Sequence, residues 1–345
     1  MKDKKVVIIG GGFAGTTAAK ILQNKCDLTL IDTEDYFEYT PGILRVLVEP
    51  EHYKKLHVKH ANYLKNAKIS LGHVKSVSNN SVTLVSKKKI NYDYLIVASG
   101  SSYNDYIKEE DTLLATRVKH LLEAHKKIQN SNNISIVGGG IVGIELAAEL
   151  ATHYKNKKIN LIHSHSRLME RNNIKTSRYA EKFLRKHNVN IVFNEKIIKK
   201  ENKKLISNSG KTYKYNCVFF TVGIRPNMEF MKKSFSKYVE KGIVVNGYLQ
   251  LPDKKNIFVA GDVSNIVEEK TAQNAEKHGE IVAHNILSSI NKKEMKKYIL
   301  KKRLMVISLG KKSGIIEYKN FVLTGMFPAF LKNFIEKMVM FGFRK

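Results

Sequence analysis

Apolar residues fall along this chain in recurrent registers. The run "KVVII" at 5–9 is short, β-branched and unbroken, and it stops at Gly10, Gly11 and Gly12. After it, "FAGTTAAKILQNK" has the composition of a helix and "LTLID" reads as a second strand. The same order returns later as "NISIV", the glycines Gly138 to Gly140, the helix "IVGIELAAELATHY" and the strand "INLIH". A third pair extends the repeat. "NYDYLIVASG" at 91–100 and "KYNCVFFTVG" at 214–223 are apolar strands that run into a terminal glycine, Gly100 and Gly223. Strand, glycine turn, helix and strand, written twice, predict an α/β fold of two Rossmann-like dinucleotide-binding halves. A different register closes the chain. In "MFPAFLKNFIEKMVMFGFRK", Phe327, Phe330, Leu331, Phe334, Ile335, Met338 and Phe341 recur at helical spacing, with Lys332, Asn333, Glu336 and Lys337 on the other side. This amphipathic helix is too short to span a bilayer and suits the headgroup layer; an ordinary packed helix or a homodimer interface would give the same pattern.

Each glycine turn has a chemistry. In G-x-G-x-x-G after a strand, one glycine permits the tight turn, the next lets backbone N–H groups approach a pyrophosphate, and the last lets the helix pack on the sheet. Gly10, Gly12 and Gly15 fit, with Gly11, Phe13 and Ala14 in the same turn; so do Gly138, Gly140 and Gly143. The two copies differ where a ribose is read. Asp32 ends the second strand of the first copy, placed to accept from ribose hydroxyls. The second copy has His163 at that place, in "LIHSHSRL", with His165 and Arg167 after it. An Arg or a protonated His attracts a 2′-phosphate that a carboxylate repels, so this turn is expected to take NADH or NADPH.

Composition narrows the class. At 345 residues and 43% hydrophobic, the chain can bury more than one core. Cys26 and Cys217 are its only two cysteines, with no C-x-x-C and no neighbours at zinc-ligand spacing, so no disulfide framework, metal site or dithiol relay is expected. No run of eighteen apolar residues and no signal peptide occur, which reads as cytoplasmic. Lys+Arg 60 against Asp+Glu 31 gives a formal net charge of +29. Such a field draws a protein to anionic lipid, nucleic acid or an acidic partner. No segment interleaves that charge with aromatics, so nucleic acid is the poorest of these partners.

With "GGGFAG", "YFEYTPGILRVLV", "YDYLIVASG", "GGGIVGIELAAEL", "TVGIRPN" and "NIFVAGDV", the chain resembles the two-dinucleotide-binding-domain flavoproteins along essentially its whole length. Within them it is most similar to type II NADH dehydrogenases and to ferroptosis-suppressor (apoptosis-inducing-factor-like) quinone reductases. The resemblance implies FAD on the first turn and a nicotinamide cofactor on the second, with the second domain inserted in the first. It implies an FAD domain at 1–112 and 235–292, an NAD(P) domain at 113–234 and a C-terminal membrane-association segment at 293–345. It places Asp262 on the flavin ribityl chain and Arg45 and Val74 along the FAD site. It sets Glu145 and Lys108 near the nicotinamide. "TAQNAEKH" is similar to a quinone motif, with Gln273 in place and His278 where a second Gln would stand. Five residues apart on one helix, these two lie about 140° apart, so at most one can face the flavin. The expected reaction is hydride transfer from NAD(P)H to FAD, then two electrons to a quinone, on the cytoplasmic face of a membrane rich in anionic lipid. A ferredoxin or rubredoxin acceptor, or a nucleic-acid-binding role of apoptosis-inducing-factor type, stands as the alternative.

Overall fold

In the computed structural model, which describes residues 3–102 and 114–344, the first repeat forms a five-stranded parallel sheet. Its order is Ile257–Val259, Tyr94–Val97, Lys5–Ile9, Asp27–Asp32, Ala67–Leu71. The apolar runs are unbroken because both faces are covered. Val6, Ile8, Leu28 and Leu30 enter one apolar cluster, and their neighbours Val7, Ile9 and Ile31 enter another. The second repeat gives four parallel strands in the order Val189–Val192, Lys158–Ile162, Asn133–Val137, Cys217–Phe220.

The duplication reaches beyond the motifs. Each half inserts a three-stranded antiparallel meander at the same point, Val74–Asn91 in the first and Ile197–Lys214 in the second. The strand Ile257–Val259 joins the first sheet only after the whole second repeat has passed, so the second half is inserted in the first. The two chain passages between halves lie side by side, Ser101–Ser102 antiparallel to Arg225–Pro226.

Two helices close the first half. Phe13–Leu22 follows the first glycine turn, and Ala272–Ile290 lies directly on it, since a Cβ on Gly279 would stand 2.3 Å from the Ala14 carbonyl oxygen. The C-terminal segment is a three-stranded antiparallel sheet, Met305–Ser308, Gly314–Tyr318 and Phe321–Gly325, followed by the helix Met326–Arg344.

That last helix is turned the opposite way from a helix packed by its apolar face. Phe327, Phe330, Phe334, Met338 and Phe341 are exposed, Phe330 by 66%. Its polar side faces the protein, where Lys332 pairs with Glu145, Asn333 accepts from Arg45 at 3.0 Å, and Glu336 meets His52 at 3.1 Å. Lys337 alone of the four expected polar positions is exposed. The reason is the charge already buried beneath: Glu145 and Glu149 need cations, and Arg45 and Lys332 supply them. Near its end, Phe343 stacks on Phe37 with centroids 4.2 Å apart, which ties the helix into the first core.

Candidate active site

The first turn is locked by contacts only glycine allows. A Cβ on Gly15 would stand 1.8 Å from the Gly10 carbonyl oxygen, so helix and turn touch without a side chain between them. Gly12 caps the helix, has no side-chain partner on the cap, and faces open space. A phosphate there meets free N–H groups and the positive end of the helix dipole. Asp32 stands where the sequence set it. Its Oδ2 accepts from the Gly11 N–H at 2.7 Å, and its Oδ1 from the Thr33 N–H at 2.7 Å. Behind it, fully buried His60 places Nε2 3.2 Å from Asp32 Oδ2 while its Nδ1 meets the Tyr63 hydroxyl.

The second turn repeats the glycine contacts of the first. A Cβ on Gly143 would stand 1.9 Å from the Gly138 carbonyl oxygen, and Gly140 faces open space as Gly12 does. Gly10 N–H donates to Ile31 O and Gly138 N–H to Ile162 O. The next residues then correspond as well. Gly139 N–H donates to His163 Nδ1 at 3.0 Å, as Gly11 N–H does to Asp32. His163 therefore carries its proton on Nε2, which faces Glu170 Oε2 at 3.3 Å. His163, His165 and Glu170 lie close enough to surround a cation. Gly139 closes that option, because a ligating Nε2 would put the proton on Nδ1 against another N–H.

Burial depresses the His163 ring below its ordinary 6.5, with Glu170 opposing and His165 assisting. The native form is neutral, so an unfolded chain binds the proton first as pH falls from 6.5. The ordered turn is fully favoured above that value and loses this contribution between it and the lower value of the buried ring. Protonation puts a hydrogen on Nδ1 and breaks the Gly139 bond. The KM for the nicotinamide cofactor should therefore rise below pH 6.5 while flavin content stays constant; a flat KM across that window would contradict the assignment.

Other sequence-predicted residues scatter around these turns. Asp262 lies beyond the left-handed Gly261, where Ser101 donates to its Oδ2 at 2.7 Å. Gly100 and Gly223 end corresponding strands, both with positive φ, +66° and +81°. Thr271 caps the 272–290 helix. On that helix Gln273 is exposed and His278 is 1% exposed, on different sides as their spacing requires. His278 points inward: its Nδ1 accepts from the Gly261 N–H at 3.0 Å, and its Nε2 stands 2.9 Å from Glu268 Oε1. Burial opposes the ionised Glu268, but His278 and the Tyr298 hydroxyl hold it below the usual carboxylate range. His278 thus buttresses the turn that carries Asp262. Gln273 lines a cavity of about 550 Å³ with Leu304, Tyr318, Lys301, Lys302 and Lys319.

Arg45 donates to Glu149 at 3.2 Å and to Asn333, within the buried charge network rather than at either turn. Glu145 joins that network, accepting from Ser308 N–H at 2.8 Å and from Lys332. It lies in the second turn of a helix that starts at Ile141. Val74 begins the first meander and packs on the apolar cluster there. Arg167 spends its guanidinium on the carbonyl oxygens of Met169, Glu170 and Asn172. Lys108 lies outside the described residues.

Sequence reasoning missed His60, Ser101, Thr221 and Glu170. Thr221 donates to the carbonyl oxygens of Val137 and Gly138 at 3.0 Å and fixes the second turn. It stands two residues before Gly223, at the place Ala98 holds before Gly100 in the first repeat, and the hydroxyl there was the available signal. Cys26 and Cys217 are both buried, one in each half, and are not joined in a disulfide. No helix among the described residues is long and apolar enough to cross a membrane.

Two open glycine-capped helix ends, each beside a strand-end acceptor, fit two dinucleotides. The comparisons agree. A family model described as pyridine nucleotide-disulphide oxidoreductase matches residues 4–279. Apoptosis-inducing factor homolog A of Dictyostelium discoideum is 32% identical, covering 94% of this chain and 88% of its own length. Ferroptosis suppressor protein 1 of Taeniopygia guttata is 29% identical, covering 90% and 87%. The sulfide:quinone oxidoreductase of Aquifex aeolicus shares the fold with a TM-score of 0.84 at 24% identity, over 99% of this chain and 92% of that one. The chain belongs to the pyridine nucleotide-disulphide oxidoreductase family and is an NAD(P)H-dependent flavoprotein oxidoreductase that binds FAD and NAD(P)H.

Proposed function

We propose that this protein passes electrons from NAD(P)H to a quinone collected from a membrane surface. The observation that carries the reading is the outward apolar face of Met326–Arg344, whose exposed phenylalanines continue onto Phe321 and Leu323 of the preceding strand. A water-soluble acceptor gives no reason to expose such a face, whereas a lipophilic one has to be reached in lipid. The FAD and nicotinamide cofactors supply the hydride and electron transfer; the chain supplies placement and electrostatics. Gly10 to Gly15 and Asp32 hold the flavin nucleotide, and Gly138 to Gly143 hold the nicotinamide nucleotide. Asp262, fixed by Ser101 and by the His278 brace on Gly261, contacts the flavin side of the site. Gln273 opens the quinone route through its cavity, which neighbours the apolar face through Leu304 and Tyr318. Glu145, buried and paired with Lys332, is the carboxylate available to pass a proton inward from the C-terminal segment.

The absence of paired thiols supports this acceptor class, since a disulphide substrate needs a cysteine relay. The test is spectroscopic. Purified protein should be yellow, bleach anaerobically with NADH or NADPH, and recolour with a short-chain quinone. Bleaching without recolouring would reject the quinone. The formal net charge of +29 favours a second reading, a small acidic iron protein as acceptor. Turnover with such a partner would fall steeply with salt, and turnover with quinone would not.

A further inference from the structure

We infer that Glu170 reads the adenosine ribose of the nicotinamide cofactor and makes this protein select NADH over NADPH. This rests on the nicotinamide-binding role of the second half, not on the identity of the acceptor. In the first half the carboxylate of Asp32 receives the glycine N–H and a histidine, His60, stands behind it at 3.2 Å. In the second half the order is reversed. A histidine, His163, receives the glycine N–H and a carboxylate, Glu170, stands behind it at 3.3 Å. The acid that reads a ribose at the end of the second strand has therefore moved outward by one side chain.

The backbone holds it there. Met169 takes a left-handed φ of 45° and donates its N–H to the Gly139 carbonyl oxygen at 2.9 Å, which folds the loop back onto the phosphate turn and sets Glu170 beside it. Burial opposes ionisation of Glu170, but backbone N–H bonding and the two histidines hold it below the usual carboxylate range, so it is charged at neutral pH. Its side chain is 37% exposed, unlike fully buried His60, and is free to accept from an incoming hydroxyl pair. The cation expected to attract a 2′-phosphate is occupied: Arg167 is bound to three backbone carbonyl oxygens. A ribose 2′-hydroxyl finds an acceptor here, and a 2′-phosphate finds a like charge.

Equilibrium binding of NAD⁺ and NADP⁺ to the flavin-loaded protein tests this without turnover. Wild type should bind NAD⁺ at least about tenfold more tightly, and Glu170→Gln should remove most of that ratio by weakening NAD⁺, as loss of a charge-assisted bond does. The double variant His163→Asp with Glu170→Gln returns a carboxylate to the place Asp32 holds in the first half. It should recover the preference, which general damage to the loop would not allow. The kcat/KM ratios with NADH and NADPH should follow the same order. The inference is overturned if wild type binds the two nucleotides equally, or if Glu170→Gln keeps the wild-type ratio with flavin bound.

Discussion

Gly143→Ala should leave a yellow protein that NAD(P)H no longer reduces at a useful rate. The new Cβ would stand 1.9 Å from the Gly138 carbonyl oxygen and 2.7 Å from Thr221 Oγ1. Neither atom can retreat cheaply: one is backbone, and the other is held by two bonds to Val137 and Gly138. The helix Ile141–His153 must lift off its strand, carrying the N–H groups that meet the pyrophosphate away from it. Loss of two charge-assisted hydrogen bonds costs about 3 kcal/mol, or roughly 100-fold in nicotinamide binding. The first half is a separate sheet with its own turn, so the flavin should stay. Gly15→Ala makes the matching collision, 1.8 Å from the Gly10 carbonyl oxygen, and should give a colourless protein. Visible spectra and anaerobic bleaching rates of the two variants check both statements at once. A colourless Gly143→Ala beside a yellow Gly15→Ala would exchange the cofactors between the turns.

Both collisions arise at features legible in the sequence. A glycine turn between an apolar strand and a helix is a local device: its residues are contiguous, and the chemistry fixes their spacing. Both turns, the strand-end Asp32 and the terminal glycines Gly100 and Gly223 were readable for that reason, whereas His163, whose residue type suggests a cation for a 2′-phosphate, instead accepts from the Gly139 N–H. Glu170 was not readable, although it lies only seven residues from His163. Its approach depends on a left-handed residue that is not glycine, Met169, and on a bond from that residue to Gly139, across thirty positions of chain. His60 was hidden likewise, since nothing in "HVKHANY" announces a partner for Asp32. The ion pair of Arg45 was hidden too: burial of Glu149, which pushes that carboxyl upward, demands a guanidinium nearby, and the two residues lie on different elements. The periodicity of the last helix separates the exposed phenylalanines from Lys332, Asn333 and Glu336, with Lys337 falling outside that division. It carried no information on which face meets the protein, because that is decided by the polar partners Arg45, Glu145 and His52 on other elements.

The two faces of that helix should respond to substitution in opposite ways. Phe330→Ser with Phe334→Ser changes side chains that are 66% and 51% exposed, so folding, flavin content and NAD(P)H oxidation by a soluble dye should be unchanged. In the headgroup layer the same two rings would be buried. Removing them forfeits about 1.5 to 3 kcal/mol each, and binding to vesicles should weaken by roughly 100-fold or more. Activity on a long-tailed quinone held in those vesicles should fall with it, while activity on a short-chain quinone in solution persists. Phe343→Ala acts on the opposite face. That ring is 8% exposed, stacks on Phe37 and meets Tyr63 edge-on at 4.9 Å, with Lys20 over it at 4.6 Å. Its loss should cost about 3 to 5 kcal/mol of stability and reach the flavin half through Tyr63, His60 and Asp32. Deleting the whole helix would combine the two effects and separate nothing, so point substitutions are the informative test. Flotation with liposomes, thermal unfolding and flavin absorbance distinguish them. If the double serine variant floats with liposomes as well as wild type, the exposed phenylalanines do not meet lipid and the membrane reading fails. If it unfolds, the face is covered in solution by another protein surface, and the same reading fails for a different reason.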